Sequence, residues 1–413
     1  MKTVTLSAVL VLQTFITRAI SLDLDVNNAT SVISVAGTIA SGLFRYHNAS
    51  STAGDFNQPR PWFWWLSGNG WNGLLDHTIY TNTTTYIPPF LSAISKNIGP
   101  NNDFVPPEQV NYEANDDQMY WVYNSLTALE YNFTALPCIP SGSANGECLN
   151  SWLALSTNAF NLFVKRWNAD SGTCGGGLKW QYRTSEAGYY YKNAVTNGGF
   201  FQVAARLARY TQNQTYADWA VKIWDWSTRV KVVSDSFHVY DGTHDDNGNN
   251  CTGVSGDEWS YNIASYMHGA ANMYAFSKGD PVWQARVQGL VGAANQTFFS
   301  PVAGAEGIMS EKKCELVGRC STDQTSFKSS LSRWMGKTAV LVPDQREGIL
   351  ELLKKSAKGA AAACSGKGDS SCGMKWYTGT YDGQSDFGTE LSALEGVQSL
   401  LAVTAPSLAI ASG

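Results

Sequence analysis

The sequence predicts an all-α fold in which six helical hairpins close into an (α/α)6 barrel. Three observations lead there. A helix–polar turn–helix outline recurs at intervals of roughly 60 to 70 residues, as in stacked supersecondary units. Strand-like alternation between those turns is scarce. The chain has 413 residues, 44% of them hydrophobic, enough for one large core, and barrels often exceed the usual domain length. An open α-superhelix has the same local pattern, and closure alone separates the two.

The hairpins are justified in turn. Residues 71–79 read as a helix, followed by Tyr80-Thr81-Asn82-Thr83-Thr84-Thr85-Tyr86 and an apolar segment ending near Ile94. Residues 200–209 are followed by Tyr210-Thr211-Gln212-Asn213-Gln214-Thr215-Tyr216 and then by 217–226. Both turns open Tyr-Thr and carry a second Tyr six residues on. Residues 268–276, the turn Ser277 to Pro281 and residues 283–299 repeat the outline, with Pro281 suited to a first helical turn. Looser copies are 137–147 before the amphipathic run 152–167, and Pro343-Asp344 before 349–353. The sixth pair would combine 32–46 with 390–403.

Composition narrows the function. Lys plus Arg number 29 and Asp plus Glu 34, for a net charge of −5, and charged residues are only 15%. Nucleic acid is therefore not an expected partner, since it requires a basic face, and a disordered scaffold is excluded. The 15 Trp, 19 Tyr and 17 Phe exceed ordinary core needs. Most belong to a core; several are expected to line a groove, where flat rings bury the apolar faces of sugars.

The N-terminus reads as an export signal. Lys2 supplies the positive end, 4–16 a short apolar run, and Ala19-Ile20-Ser21 small residues before cleavage after Ser21, so 1–21 is a secretory signal peptide. Seven sequons, at Asn28, Asn48, Asn82, Asn132, Asn213, Asn250 and Asn295, agree with a glycosylated surface protein. Eight cysteines suit an oxidising route. Local pairs Cys138–Cys148, Cys314–Cys320 and Cys364–Cys372 would leave Cys174 with Cys251, although spacing alone does not determine connectivity. No cysteine or histidine cluster suggests zinc, and Asp245-Asp246-Asn247-Gly248-Asn249 lacks the glycine and glutamate placement of a calcium loop. Neither metal nor cofactor is expected. Residues 22–400 are assigned to one domain and 401–413 to a tail whose small residues suit the attachment site of a glycosylphosphatidylinositol (GPI) anchor, with the natural product continuing into an anchor signal.

The chemically richest segment is Asn115-Asp116-Asp117-Gln118-Met119-Tyr120-Trp121. It suits a helix start, with Asn115 as cap and the acids favoured by the helix dipole. It equally suits glycosidic chemistry. Adjacent acids repel, so one pKa rises and one falls, leaving one carboxylate ionised and one protonated. In a first helical turn such carboxyls can stand about 5 Å apart, the separation of retaining glycosidases. Tyr120 and Trp121 are at hand to hold a sugar. A Ser-His-Asp hydrolase is disfavoured by the lack of a Gly-x-Ser-x-Gly elbow. The glycine run at 175–177 lacks the Gly-Lys-Ser/Thr of a phosphate loop.

Taken together, Phe63-Trp64-Trp65, Asn115-Asp116-Asp117-Gln118 with Trp121, Cys174-Gly175-Gly176-Gly177-Leu178-Lys179-Trp180-Gln181, Gly188-Tyr189-Tyr190-Tyr191-Lys192-Asn193, Ala205-Arg206-Leu207 and Tyr261-Asn262 resemble glycoside hydrolase family 76, in its fungal cell-wall branch. The resemblance implies an (α/α)6 barrel and cleavage of α-1,6-mannosidic bonds with retention, Asp116 being the nucleophile and Asp117 the acid/base. It implies partners among α-1,6-mannose-containing glycans, the GPI glycan included, with β-glucan as acceptor when GPI-anchored glycoproteins are attached to the wall. Lys192, Asn193 and Asp241 are then expected to hydrogen-bond mannose, and Trp65 to stack on it. Three readings follow: a retaining transglycosidase at the cell surface, a secreted hydrolytic endo-α-1,6-mannanase, and a lectin-like wall protein, which has no need of both acids. A monomer is expected.

Overall fold

The structure, a computed structural model, describes residues 21–51, 54–56, 63–138, 151–246, 248–299 and 302–411. Of the expected signal peptide, only Ser21 falls among them. The elements are α1 (Ala29–Phe44), α2 (Trp64–Thr81), α3 (Ile87–Lys96), α4 (Asn115–Glu130), α5 (Trp152–Ala169), β1 (Tyr191–Asn193), α6 (Ala194–Thr211), α7 (Gln214–Arg229), β2 (Gly242–His244), α8 (Ser260–Phe276), α9 (Pro281–Phe298), the single turn α10 (Lys312–Glu315), α11 (Phe327–Leu341), α12 (Pro343–Ala363), β3 (Cys364–Gly366), β4 (Ser371–Cys372) and α13 (Phe387–Gln398).

Helices α2, α4, α6, α8, α11 and α13 pack side by side, and α13 returns onto α2. That closure makes a barrel rather than a superhelix. The partners α3, α5, α7, α9, α12 and α1 lie outside, each against its inner neighbour. The two rings differ in pattern for a physical reason. In α2 every residue from Trp64 to Ile79 is buried, and a helix covered on all sides has no polar stripe to keep. The outer α7 buries Ala217, Ala220, Ile223, Trp224 and Ser227 at the three-and-four spacing of one face, with Trp226 beside them, and leaves its other positions outside the core. Gly198 and Gly269 let α6 and α8 close together: a Cβ would stand 2.7 Å from Tyr266 at the first and 2.5 Å from Phe201 at the second.

Buried ion pairs tie the inner ring. Glu130 of α4 takes Arg206 and Arg209 of α6 at 2.7 and 2.9 Å. Arg333 of α11 meets Glu395 of α13 at 2.6 Å, and Lys337 of α11 meets Asp76 of α2 at 2.7 Å. Desolvation opposes ionisation of Glu130, yet Arg206 and Arg209 hold its carboxyl far below the usual range.

Short turns join α2 to α3, α6 to α7, α8 to α9 and α11 to α12, each from the end of an inner helix to the start of an outer one. Asn82 and Gln212 occupy matching positions in two of these, both at φ 55°, which accounts for the paired Tyr-Thr sequences. The inner helices therefore run in one direction, with their C-termini at the turn end and their N-termini at the end carrying the long loops. Residues Ser399–Thr404 continue past α13 as 3-10 turns, with Leu400, Leu401 and Ala402 buried. The folded unit thus extends beyond residue 400. Ala409 and Ala411 donate their N–H groups to Glu130 O and Tyr210 O at 2.7 and 2.8 Å, covering carbonyls that helix ends leave unpaired.

Disulfides join Cys174–Cys251, Cys314–Cys320 and Cys364–Cys372, the last linking β3 to β4. Cys148 lies outside the described residues, and with it the pairing expected for Cys138. Six sequon asparagines are exposed, Asn28, Asn82, Asn132, Asn213, Asn250 and Asn295, and Asn48 is half-buried.

Candidate active site

The first turns of the inner helices converge on the loop end, where their dipoles present positive ends. A cavity of about 440 Å³ opens there. Phe63 and Trp65 come from the start of α2, Asp116, Asp117 and Tyr120 from α4, and Tyr261 from α8. Asn193 immediately precedes α6, and Asp323 and Phe327 flank the start of α11. Tyr191 of β1 and the loop residues Tyr112, Trp180, Gln181 and Asp241 complete the wall.

The two acids are held differently. Ala114, not Asn115, is the residue preceding α4, and Asp117 Oδ2 accepts its N–H at 2.6 Å. Asn115 is helical and instead braces the site, donating to Lys179 O at 2.8 Å and accepting from Arg166 at 2.6 Å. Asp116 Oδ1 accepts the N–H of Asp117 at 3.1 Å, and Oδ2 accepts Asn193 Nδ2 at 3.3 Å. Burial pushes the Asp116 carboxyl up to about 7, against hydrogen bonds from Asn193 and Trp180 that pull it down. Burial and the neighbouring Asp116 charge push Asp117 well above the carboxylate range. The first proton lost from the pair therefore leaves Asp116, and Asp117 keeps its own.

Opposite the pair, β1 lies antiparallel to β2, with Asn193 facing Gly242 across the ladder. Tyr191 donates its hydroxyl to Asp241 at 2.7 Å, and Asn262 donates to the other Asp241 oxygen at 3.1 Å. Burial raises the Asp241 carboxyl against those two donors. Asn193 Oδ1 is buried and takes no hydrogen bond from the described residues. Rings frame the space: Trp65 lies 4.5 Å from Tyr120, and Tyr261 stacks on Phe327 at 3.9 Å.

Of the residues expected to bind sugar, Trp65, Tyr120, Asn193 and Asp241 meet at this cavity, and Trp121 and Lys192 do not. Trp121 is fully buried, stacked on Trp64 at 5.1 Å and packed over Gly68. One residue along a helix is a rotation of about 100°, so when Tyr120 faces the cleft Trp121 faces α2. Lys192 is fully buried on the far face of β1, because strand side chains alternate. Its Nζ donates to Gly176 O and lies 3.7 Å from Asp245, a residue of the acidic stretch after β2.

Several lining residues were not singled out by the sequence. Asp323 is one: burial pushes its carboxyl up to about 6 against a hydrogen bond from Trp65, and its Oδ1 has no partner among the described residues. The signal that would have found Asp323 and Phe327 is position, because both sit at the start of α11, the first helix of a hairpin.

Two concentric helical rings around a paired-acid aromatic cleft define a glycoside hydrolase. The chain matches the glycosyl hydrolase family 76 profile over residues 31–412. It is 39% identical to the mannan endo-1,6-α-mannosidase DCW1 of Saccharomyces cerevisiae, over 95% of this chain and 83% of that one. The crystal structure of Dfg5 from Chaetomium thermophilum in complex with glucosamine is similar, with TM-score 0.84 and 31% identity over 94% of each chain. An inactive variant of an α-1,6-mannanase of Salegentibacter sp. HEL1_6, in complex with α-1,6-mannotetrose, shares the fold, with TM-score 0.69 and 16% identity over 90% of this chain and 99% of that one. The chain belongs to glycosyl hydrolase family 76.

Proposed function

We propose that the protein cleaves α-1,6-mannosidic bonds with retention, through a glycosyl-enzyme on Asp116. The observation that carries this reading is the acid pair itself: two adjacent carboxyls facing an aromatic cavity, the second binding its proton more tightly than the first. Asp116 attacks the anomeric carbon as the glycosidic C–O bond breaks, and Asp117 gives its proton to the leaving oxygen. Asp117 then takes a proton from water or from a sugar hydroxyl, whose oxygen displaces Asp116. Four carboxyls line the cavity and, among the described residues, no Lys, Arg or His does. Such a field suits a neutral sugar and opposes an anionic one. The mannan-cleaving activity in the name of the Saccharomyces relative supports the choice of donor.

The proposed acceptor is another sugar, so that a GPI-glycan mannoside is transferred to β-glucan by a secreted protein held at the cell surface or wall. Tyr112, 80% exposed, and Phe63, 37% exposed, stand at the cavity and offer a stacking surface for an acceptor. A bound acceptor outcompetes water by proximity. Hydrolysis is the second reading, favoured by the name of that relative. Mass spectrometry of products from an α-1,6-mannoside, with and without β-glucan oligomers, separates them. A mannose–glucan adduct is expected, and only free mannosides would leave hydrolysis.

A further inference from the structure

The glycine motif that precedes the cleft has a structure of its own. Cys174, Gly175, Gly176 and Gly177 are four successive left-handed residues, with φ of 56°, 62°, 122° and 88°. The carbonyls of this turn go to donors from elsewhere. Trp226 and Arg229 of α7 both donate to Cys174 O at 3.2 Å, and Arg229 also donates to Gly175 O at 3.1 Å. Lys192 Nζ donates to Gly176 O at 2.7 Å and to Thr173 O at 3.3 Å. Asp245 completes the shell, 3.7 Å from the same Nζ, accepting Thr173 Oγ1 at 2.7 Å and pairing with Lys179 at 3.4 Å. An ammonium enclosed by two carbonyls and a carboxylate has the surroundings of a bound cation, here tethered to a strand.

The next residue of that strand points the other way. Asn193 Nδ2 reaches Asp116 Oδ2 at 3.3 Å. Its carbonyl is held by Asn197 at 2.9 Å, and Asn197 also bonds Leu178, just past the glycine turn, at 2.8 Å. The glycine turn, β1 and the start of α4 are thereby one connected unit.

We propose that Lys192 is a positioning residue: by locking β1 onto the glycine turn it sets Asn193 against Asp116 and so sets the acidity of that carboxyl. The proposal deepens the mechanism above and rests on it for its effect on turnover. Its test therefore reads Asp116 directly. Other groups facing Asp116 are Asp117, Tyr120 and Tyr123 on α4, Trp180 on the loop before β1, and Tyr261 on α8.

The measurement is a 13C NMR titration of aspartate carboxyls in the full chain, with the Asp116 signal assigned by its loss in Asp116→Asn. Asn193 donates to the ionised form, so losing that bond makes Asp116 a weaker acid. Lys192→Met is expected to lower the Asp116 ionisation constant roughly three- to tenfold, as is Asn193→Ala, and the double variant no further. Turnover of an activated aryl mannoside should fall about 100-fold, mainly in kcat. A folded Lys192→Met protein with an unchanged Asp116 titration overturns the proposal, as does a double variant whose shift is the sum of the singles. An intact shift with unchanged turnover upholds the positioning role and removes Asp116 as nucleophile. If Lys192→Met does not fold, Asp245→Asn replaces it: it leaves the ammonium in place and weakens its hold. A smaller shift of the same sign is then expected, and no shift overturns the proposal.

Discussion

Replacing Asp117 with Asn removes a proton donor while leaving the helix start intact. Asp117 Oδ2 accepts the N–H of Ala114 at 2.6 Å, and an amide oxygen can accept the same bond. The variant should therefore keep the stability of about 0.5 to 2 kcal/mol that such a cap contributes, and its melting temperature should match wild type. Its chemistry should not. A positioned general acid is worth roughly 10² to 10⁴ in rate when the leaving group is poor, or about 3 to 5 kcal/mol of barrier. An unactivated α-1,6-mannoside should lose that full factor. A mannosyl fluoride or dinitrophenyl mannoside, whose leaving group needs no proton, should form the glycosyl-enzyme at nearly the wild-type rate. That intermediate then lacks a base for water, and added azide should restore turnover and give mannosyl azide of α configuration. If the natural mannoside is cleaved within about tenfold of wild type, Asp117 is a capping residue only. If the activated donor falls as far as the natural one, the acid role is also wrong.

The other expectations concern pH, the ring and the aromatics. Asp116 must be ionised and Asp117 protonated, so kcat/KM should rise as pH passes through the Asp116 ionisation near 7 and fall once Asp117 loses its proton; a profile flat across neutral pH would contradict the assignment. Glu130→Gln leaves Arg206 and Arg209 buried without a counter-charge, a loss of about 3 to 5 kcal/mol in denaturant unfolding. In wild type the same carboxyl, held low in the folded state, supports stability above its unfolded pKa, support that is lost as pH falls through its folded value. Trp65→Ala should weaken mannoside binding about tenfold and, because Trp65 is itself largely buried in α2, also lower the melting temperature, whereas the fully buried Trp121→Ala should cost about 3 to 5 kcal/mol of stability and leave binding by the folded protein little changed; equal effects on binding would return Trp121 to the cleft. A phosphate-substituted mannoside should bind worse than the neutral sugar, and Asp323→Asn should narrow that gap, as measured by calorimetry.

Much was legible from residues alone because it is local. The paired turns at Asn82 and Gln212, the proline at the start of α9 and the apolar runs mark hairpins through the short-range rules of helix starts and stops. The acid pair was readable because adjacent like charges are costly wherever they fall, and a sequence keeps them together only where a dipole, a partner or a reaction compensates. The aromatic excess indicated a groove without saying which rings line it.

The rest depends on closure and on which way a side chain points. Whether α13 returns onto α2 is a long-range fact, since neither helix carries a pattern that names the other. Asn115 reads as a cap and becomes a brace because Arg166 and Lys179 arrive from other segments. Lys192 and Asn193 are neighbours in one motif, yet strand alternation sends one into a buried carbonyl cage and the other onto Asp116. Tyr120 and Trp121 part in the same way around a helix. By itself the sequence determined the five contiguous hairpins, the acid pair and the chemistry it could perform, all of which depend on residues near in the chain. Only the tertiary structure decided which groups share the cleft, because that requires five helix starts from distant segments to meet at one end of a closed ring.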